Sequence, residues 1–315
     1  MYYYSAYGLI IQSEIFQPEF IPSPPPPTKP DVIVRIRDRR KRSFPYVNGL
    51  LKERCNGGVI IHWQDVASYK VVNGNIVTIY PHDNATELMV RQPLYGIVIA
   101  TLLMQQDNLL VLHGSVIELH GRALIIVGQQ GAGKSTLAAF FMSKGSRLIA
   151  DDVAALQFDY SAGNTKVLTG LPHIRLWPDT AHFLGFDLQT LPCVNHMTQK
   201  RVYSAREYFT RGSFSLGGVI TFGSSDGVVI SELTSAEKMK CLISSHYFAK
   251  SPALLSFEEQ KRTFLHTAYL SKNSRIVRLC RPGSLEYLAE TTEKIEQYFR
   301  DQLAAADVQS EVCND

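Results

Sequence analysis

The chain has few cysteines, almost no excess of one charge and no long hydrophobic run. Its 5 cysteines are far apart in 315 residues and form no C-x-x-C pair, which argues against a disulfide framework or a cysteine-based zinc site. The net charge of +3 argues against a dedicated nucleic-acid-binding protein. The longest apolar run, residues 94–104, is about half of what spans a bilayer. We therefore expect neither nucleic acid nor a membrane as a partner.

The beginning of the sequence also lacks the basic region and the apolar stretch of a signal peptide. Together with the cysteine usage, this predicts a cytoplasmic protein. The composition, 45% hydrophobic and 19% charged, is typical of a globular chain with a real core. Its length fits one large domain or two ordinary ones.

Two local excesses interrupt this balance. The basic run at residues 35–42 predicts a solvated strand or loop, with a nucleic-acid patch as the alternative. Four consecutive prolines, residues 24–27, exclude a helix or a central strand and predict a stiff extended connector. A polyproline ligand for a partner is the alternative at this point.

The pattern of the chain changes near residue 105. Before it, short strands are predicted at residues 59–63, 69–72 and 76–80, with a hairpin turn at Asn73-Gly74, and a helix is predicted from Glu87 to Gln105. We expect a smaller, β-rich N-terminal domain over residues 1–105. It carries no visible chemistry, and an edge of its sheet is a candidate site for an extended peptide substrate.

Residues 106–315 mix strands and helices, which predicts an α/β domain. Strands are predicted at residues 110–118, 123–127, 147–150, 219–222, 228–233 and 276–279, of which 123–127 is fully apolar and of the buried type. Helices are predicted after residue 133, after the capping boxes Thr234-x-x-Glu237 and Ser256-x-x-Glu259, and from about Leu285 to Gln302.

One motif in this second part carries chemistry. Between a predicted strand and a predicted helix, the sequence matches G-x-x-x-x-G-K-[ST], and its residues are Gly128, Gln129, Gln130, Gly131, Ala132, Gly133, Lys134 and Ser135, followed by Thr136. Such a P-loop binds nucleotide phosphates on backbone N–H groups at a helix N-terminus. Lys134 is expected to reach the β- and γ-phosphates and Ser135 to ligate Mg²⁺. The predicted cofactors are ATP and Mg²⁺, and a glycine-rich turn without a ligand is the alternative.

Two adjacent carboxylates, Asp151 and Asp152, end the short strand that follows the P-loop helix. Only 16 residues separate Lys134 from Asp151, fewer than is usual between the Walker A and Walker B motifs of GTPases. One carboxylate is suited to holding Mg²⁺, and its neighbour to acting as the general base that takes a proton from a hydroxyl. A solvated turn and a helix N-cap are the alternatives.

These residues resemble the catalytic domain of bacterial HPr serine kinase/phosphorylase. Leu112-His113-Gly114, the P-loop and the segment 148–152 match that family in order and spacing, over about residues 112–153. The resemblance implies a P-loop kinase domain of HPr kinase/PEP carboxykinase type over residues 106–315. The segments 176–179 and 200–201 make the chain most similar to the divergent HPr-kinase-like proteins of ribosomal-peptide biosynthesis clusters, including those of lasso peptides.

The resemblance also implies a role for single residues. His113 matches the active-site histidine near the transferred phosphoryl group, whereas on sequence alone it is a core histidine of a strand. Lys134 matches the nucleotide lysine and Asp152 the general base for an acceptor serine. Ser135 and Asp151 are then the expected metal-binding residues.

One segment departs from the family pattern. The family has Leu-Glu-Ile-Arg-Gly-Leu-Gly, which supplies a metal-binding glutamate and is tied to phosphorolysis, where this chain has His173 in place of the glutamate. We therefore expect no phosphorylase activity. By its position, Asp179 is the candidate to replace the missing glutamate as a metal ligand. Arg175, Lys200 and Arg201 are candidates for neutralising phosphate charge, with surface solubility as the alternative.

The sequence thus predicts an ATP-dependent serine kinase that acts on a peptide or a small protein. The resemblance implies that the acceptor is a ribosomal-peptide precursor. A non-catalytic, regulatory nucleotide-binding module is one alternative, favoured by the missing glutamate, and a kinase for a small-molecule hydroxyl is the other. The HPr kinase family is hexameric, so a homo-oligomer is an open expectation.

Overall fold

The computed structural model describes residues 1–38, 49–189, 191–195 and 198–312. The first sheet is built from the strands β1 (Tyr2–Ala6), β2 (Leu9–Ser13), β3 (Ile21–Pro22), β4 (Val32–Ile36), β5 (Leu50–Cys55), β6 (Gly58–Trp63), β7 (Ala67–Val72) and β8 (Ile76–Pro81). Their order across the sheet is β3-β1-β2-β4-β8-β7-β6-β5. The pairs β2–β4 and β4–β8 are parallel, and the other pairs are antiparallel.

The three strands that the sequence predicted in this region are confirmed as β6, β7 and β8. Asn73 and Gly74, between β7 and β8, have φ angles of 54° and 63°. A two-residue hairpin turn of this kind requires positive φ at both positions, so the Asn-Gly signal is confirmed as well. The four prolines lie in the connector between β3 and β4, and residues 39–42 of the basic run lie outside the described residues.

The second sheet contains β9 (Leu109–Leu119), β10 (Arg122–Val127), β11 (Leu148–Ala150), β12 (Val153–Asp159), β13 (Asn164–Leu168), β17 (Ser213–Gly223), β18 (Val229–Glu232) and β19 (Ile276–Cys280). Strand β9 is paired with β10 on one side and with β11 and β12 on the other. The first residues of β17 pair with β13, and its later residues lie between β10 and β19. A small third sheet has the order β14 (His173–Leu176), β16 (Thr198–Ser204) and β15 (Cys193–Asn195).

The α-helices are α1 (Glu87–Arg91), α2 (Ile97–Met104), α3 (Lys134–Ser143), α4 (Pro178–Phe183), α5 (Ser235–Ser245), α6 (Phe257–Asn273) and α7 (Leu288–Val312). Both predicted capping boxes are present at the starts of α5 and α6. The strands and helices together confirm the mixed α/β class predicted from the sequence.

The helix predicted from Glu87 to Gln105 is wrong as a single element. It is divided into α1, a 3₁₀ turn over residues 92–95 and α2, with Gly96 between the last two. Pro93 has no N–H to donate and Gly96 has a poor helix propensity, which accounts for the break. In the described part of the chain, no single helix is long and apolar enough to cross a membrane. The bent pair formed by residues 87–95 and 97–104, with an angle of 40° between its halves, reaches the required length and apolar composition only when both halves are counted together.

Buried residues of the first sheet and of α2 form one hydrophobic cluster with residues of the second sheet. Leu103 of α2, Val111 of β9 and Val153 of β12 belong to this cluster, together with Phe248 after α5. The segment that joins the two sheets therefore packs directly behind β9 and β12. The division into domains at residues 105 and 106 stays a prediction.

Candidate active site

The glycine-rich segment 128–133 forms the loop between β10 and α3. Gly128, Gly131 and Gly133 have φ angles of 151°, 84° and 92°, in the region that side chains disfavour. The Lys134 ammonium, which follows, donates hydrogen bonds to the carbonyl oxygens of Gly128 and Gln129 at 3.0 and 2.9 Å. Burial lowers the pKa of Lys134, partly offset by Asp151. The loop and its lysine thus form one preorganised unit at the N-terminus of a helix.

The turn between β11 and β12 carries Asp151 and Asp152 to this loop. The sheet order explains the approach, because the loop follows β10 on one side of β9 and the turn lies on the other side. Val127 pairs with Gly114 of β9, and Val153 pairs with His113. The loop and the two carboxylates therefore flank the same three residues of β9, 113–115.

Asp151 is buried, with 5% of its surface exposed, and both carboxylate oxygens are hydrogen-bonded. Its Oδ1 accepts hydrogen bonds from the Ser135 hydroxyl at 2.9 Å and from the Ser115 hydroxyl at 2.6 Å. Its Oδ2 accepts the backbone N–H of Arg175 at 3.0 Å. Asp151 is followed by a strand and begins no helix, so the alternatives of a solvated turn and a helix N-cap are wrong for this residue.

Asp152 has a φ angle of 71°, which is rare outside glycine but tolerated by aspartate. Its Oδ2 accepts a hydrogen bond from Arg175 Nη1 at 3.0 Å, and its Oδ1 lies 3.3 Å from His113 Nδ1. Burial raises the pKa of Asp152, but the Arg175 guanidinium and His113 outweigh it and hold that pKa well below its usual range. Asp152 is therefore ionised at neutral pH.

Arg175 links this carboxylate to the segment before α2. Its Nη2 donates to the Tyr95 carbonyl at 3.2 Å, and the guanidinium lies 5.5 Å from the centre of the Tyr95 ring. A Cβ atom on Gly96 would lie 2.9 Å from Arg175 Nη2 and 3.2 Å from Asp152 Oδ2. The ion pair between Arg175 and Asp152 thus occupies the space that a side chain at residue 96 would need.

We expect Gly96→Ala to destabilise the protein by about 1–3 kcal/mol, the usual cost of overpacking a filled site. The added methyl group must displace either the guanidinium or the carboxylate. Urea denaturation measures the free energy of unfolding. Gly227→Ala is the matched control, because a Cβ at Gly227 meets nothing within 4 Å and the residue has no positive φ. Equal stability of the two variants would show that Gly96 does not hold the ion pair in place.

His113 and Tyr247 form the other side of the carboxylate site. His113 Nδ1 also lies 3.2 Å from the Asp152 carbonyl oxygen, so this nitrogen faces both the carbonyl and the carboxylate of Asp152. The Tyr247 hydroxyl donates to Asp152 Oδ2 at 3.4 Å, and its ring stands edge-on to the His113 ring with centres 5.8 Å apart. The alternative of His113 as a buried core histidine is wrong, since the side chain is 39% exposed.

His173 stands where the family pattern has a glutamate, and it is 3% exposed. Neither ring nitrogen has a hydrogen-bond partner among the described residues. Burial, with a contribution from Arg175, lowers the pKa of His173 to about 3, so the ring is neutral. The ring packs edge-on against Tyr95 with centres 4.8 Å apart. Among the described residues, no cluster of three or more His, Cys, Asp or Glu could hold a metal ion.

A cavity of about 1430 Å³ opens in front of the glycine-rich loop. Its lining includes all residues from Gly128 to Gly133, Thr136, His113, Trp177 and Asp179. Phe222, Tyr247 and Arg281 complete the walls around the loop and the histidine. The cavity is large enough for a nucleotide and for part of a second molecule.

The structure brings most of the predicted site residues together. Lys134, Ser135, Asp151, Asp152, His113 and Arg175 form the contacts described above. Lys200 Nζ lies 5.5 Å from the centre of the Trp177 ring at the cavity wall. Arg201 does not join them, because its guanidinium contacts Cys193 Sγ and it lines a separate cavity of about 790 Å³.

Sequence reasoning missed several residues of the site, above all Tyr95, Gly96, Tyr247 and Arg281. Each lies far along the chain from the motif that it contacts. Ser115 was within reach, because it follows His113-Gly114 directly in the stretch that carries the family resemblance. No local pattern marks the other four.

The buried strand β10, the glycine-rich loop and the helix that begins with Lys134 and Ser135 follow one another, and the two adjacent carboxylates lie beside them across β9. Residues 106–173 match the family model described as HPr Serine kinase C-terminal domain. Over this segment the chain is HPr-kinase-like, which confirms the resemblance seen in the sequence.

HPr kinase/phosphorylase 1 of Oceanobacillus iheyensis is 40% identical over 60 residues, which cover 18% of this chain and 19% of that protein. The match thus spans about a fifth of the length of the curated relative. The Hpr(Ser) kinase/phosphatase structure from Coxiella burnetii gives a TM-score of 0.32 at 9% identity, covering 62% of this chain and 98% of that one, a likeness too small to add to the assignment.

Proposed function

We propose that this chain is an ATP-dependent serine kinase that transfers the γ-phosphoryl group of ATP to a serine of a peptide or small protein. The observation that supports this best is the position of Asp152. It lies in a buried turn beside His113 and directly after Asp151, which is hydrogen-bonded to the serine of the glycine-rich loop. A module that only bound a nucleotide would not need a second carboxylate at this point.

Segment 128–136 is the proposed P-loop, with its backbone N–H groups and the α3 N-terminus as the anion site. Lys134 already lies against the loop and can exchange the two carbonyl oxygens for phosphate oxygens. Mg²⁺ fits the Ser135 hydroxyl and Asp151, which are 2.9 Å apart, because this ion keeps several waters and needs few protein ligands. When bound, it neutralises developing charge on the β- and γ-phosphates.

Asp152 is the proposed base for the acceptor hydroxyl. Phosphoryl transfer has a loose transition state, in which positioning and charge stabilisation matter more than the strength of the base. A carboxylate with a low pKa suits this task, since it stays ionised and orients the hydroxyl as a hydrogen-bond acceptor. Arg175 and His113 fix its position from two sides.

Residues 1–105 are proposed as a separate N-terminal domain that takes part in substrate binding. The support is that Tyr95 and Gly96 contact or make room for the Arg175–Asp152 pair. The similarity to kinases of ribosomal-peptide clusters supports a precursor peptide as the acceptor. With His173 in place of the metal-binding glutamate, we propose that the reverse, phosphorolytic reaction is absent.

A labelling assay tests the proposal. The purified chain is incubated with Mg²⁺, serine-containing peptides and ATP that is labelled in the γ-phosphate. We expect label on serine in the wild type and none in a reaction without Mg²⁺. Tight ATP binding with no labelled peptide, protein or small molecule would instead favour a regulatory nucleotide-binding module. Label on a small-molecule hydroxyl alone would favour the third function that the sequence left open.

Arg281 is a second cation for the nucleotide. It is 7% exposed, its Nη1 contacts only backbone carbonyls, and Nε has no partner among the described residues. Its Nη2 lies 3.1 Å from the position of a Cβ on Gly133. A phosphate oxygen of the nucleotide supplies the counter-charge that this buried guanidinium does not find among the described residues.

We therefore expect Arg281→Gln to weaken ATP binding about tenfold or more, the value of a charged hydrogen bond of about 1.5–3 kcal/mol. Isothermal titration calorimetry with ATP and Mg²⁺ measures the affinity. Arg300→Gln, on the exposed side of α7, is the control. An unchanged affinity in Arg281→Gln would exclude a contact between this residue and the nucleotide.

A further inference from the structure

Lys52 of β5 reaches the same cavity as the glycine-rich loop, although it belongs to the first sheet. Its Nζ lies 5.0 Å from the centre of the Phe248 ring. The first sheet thus places a cation on the cavity wall. None of the roles proposed above, for the P-loop, Arg281, Arg175 or Asp152, involves this cation.

A row of aromatic rings connects Lys52 to the proposed base. The centres of the Phe248 and Tyr247 rings are 6.0 Å apart, and those of the Tyr247 and His113 rings are 5.8 Å apart. His113 and Tyr247 both contact the Asp152 carboxylate. Lys52 therefore lies on the side of the cavity where an acceptor must bring its hydroxyl.

Lys52 has no carboxylate partner among the described residues, and burial lowers its pKa. A partly buried ammonium without a counter-charge has lost hydration and gained little in return. An anionic group from outside the chain would compensate for this loss.

We propose that Lys52 binds a carboxylate of the acceptor, so that the enzyme selects a serine with a negative charge close to it in sequence. The inference rests on the proposed kinase function. An extended peptide advances about 3.3 Å per residue. The path from His113 to Lys52 Nζ runs over two distances between ring centres, 5.8 and 6.0 Å, and the 5.0 Å between Phe248 and Nζ. An extended peptide covers this path in about five residues, so the carboxylate lies within about five residues of the serine.

The test uses serine-centred peptides in which each flanking position is fixed in turn as Asp, Asn or Lys, with free or amidated C-termini. For the wild type we expect a KM at least tenfold lower with Asp than with Asn at one or more positions. Preference for a free C-terminus over an amide would identify the terminal carboxylate as the group bound. Lys52→Met keeps the contact with Phe248 and should abolish the preference, whereas Lys52→Arg should restore it. Lys52→Glu should favour peptides with Lys.

Lys70→Met, on β7 of the same sheet and away from the cavity lining, is the control and should behave as the wild type. A preference for Asp that persists in Lys52→Met, or a wild type without any preference, overturns the inference and leaves the kinase function standing. Fluorescence anisotropy of the labelled Asp and Asn peptides, with a non-hydrolysable ATP analogue present, measures binding without catalysis. If no peptide is phosphorylated, the kinase function fails, and the inference is then decided by whether binding of the Asp peptide is lost in Lys52→Met.

Discussion

Asp152→Asn is expected to lower the rate of phosphoryl transfer by about 10²–10⁴, the usual contribution of a positioned proton acceptor. The amide keeps the size of the side chain, and asparagine tolerates the positive φ of this position. It removes the charge that orients and deprotonates the acceptor hydroxyl. ATP affinity should change little, because the loop, Lys134 and Ser135 are untouched. Single-turnover labelling and ATP titration separate the two effects.

The same change leaves the Arg175 guanidinium without its carboxylate, which costs about 3–5 kcal/mol for a buried pair. The double variant with Asp152→Asn and Arg175→Met removes both charges and keeps the site neutral. We expect it to be more stable than Asp152→Asn alone and equally inactive. Asp83→Asn, on the exposed surface, is the control for the loss of a carboxylate. Activity close to that of the wild type in the folded double variant would exclude Asp152 as the base.

Lys134→Met is expected to reduce phosphoryl transfer by about 10²–10³, since it removes a preorganised cation from the phosphates. Methionine retains most of the volume of a side chain that is largely buried. The carbonyl oxygens of Gly128 and Gln129 lose their donor at the same time, so a weaker affinity for ATP is expected as well. The rate at saturating ATP measures the catalytic part of the effect.

Lys144→Met is the matched control, because this lysine caps the end of the same helix and is exposed. The control should retain the activity and the ATP affinity of the wild type. If Lys134→Met transfers phosphate at the normal rate once it is saturated with ATP, the lysine contributes to binding alone, and the assignment of its catalytic role is wrong.

The local half of the site could be predicted from the sequence, because strand, loop and helix signals coincide over residues 123–143. Gly128, Gly131 and Gly133 have positive φ as the motif requires, and the helix starts where the motif places it. Asp151 and Asp152 follow a strand of three residues that was also predicted. Their nearness to the loop depended on the sheet order, which places β9 between the two segments.

The remaining half of the site depends on contacts between distant parts of the chain. Gly96 is recognisable as a helix breaker, but its function in making room for Arg175 depends on a strand nearly eighty residues later. Tyr247 and Arg281 belong to loops after α5 and β19, where no periodic pattern exists. In the first sheet, β1, β2 and β4 pair over only three to five residues each, too short for a pattern that alternation alone can reveal.

The most direct test of the central claim is to detect phosphoserine by mass spectrometry after incubation of a serine peptide with ATP, Mg²⁺ and the purified chain. We predict one phosphoserine formed for each ADP released, with Asp152→Asn and Lys134→Met strongly impaired. ATP consumed or bound without any phosphorylated acceptor, or phosphoserine formed equally by both variants, would contradict the assignment of this site as a serine kinase.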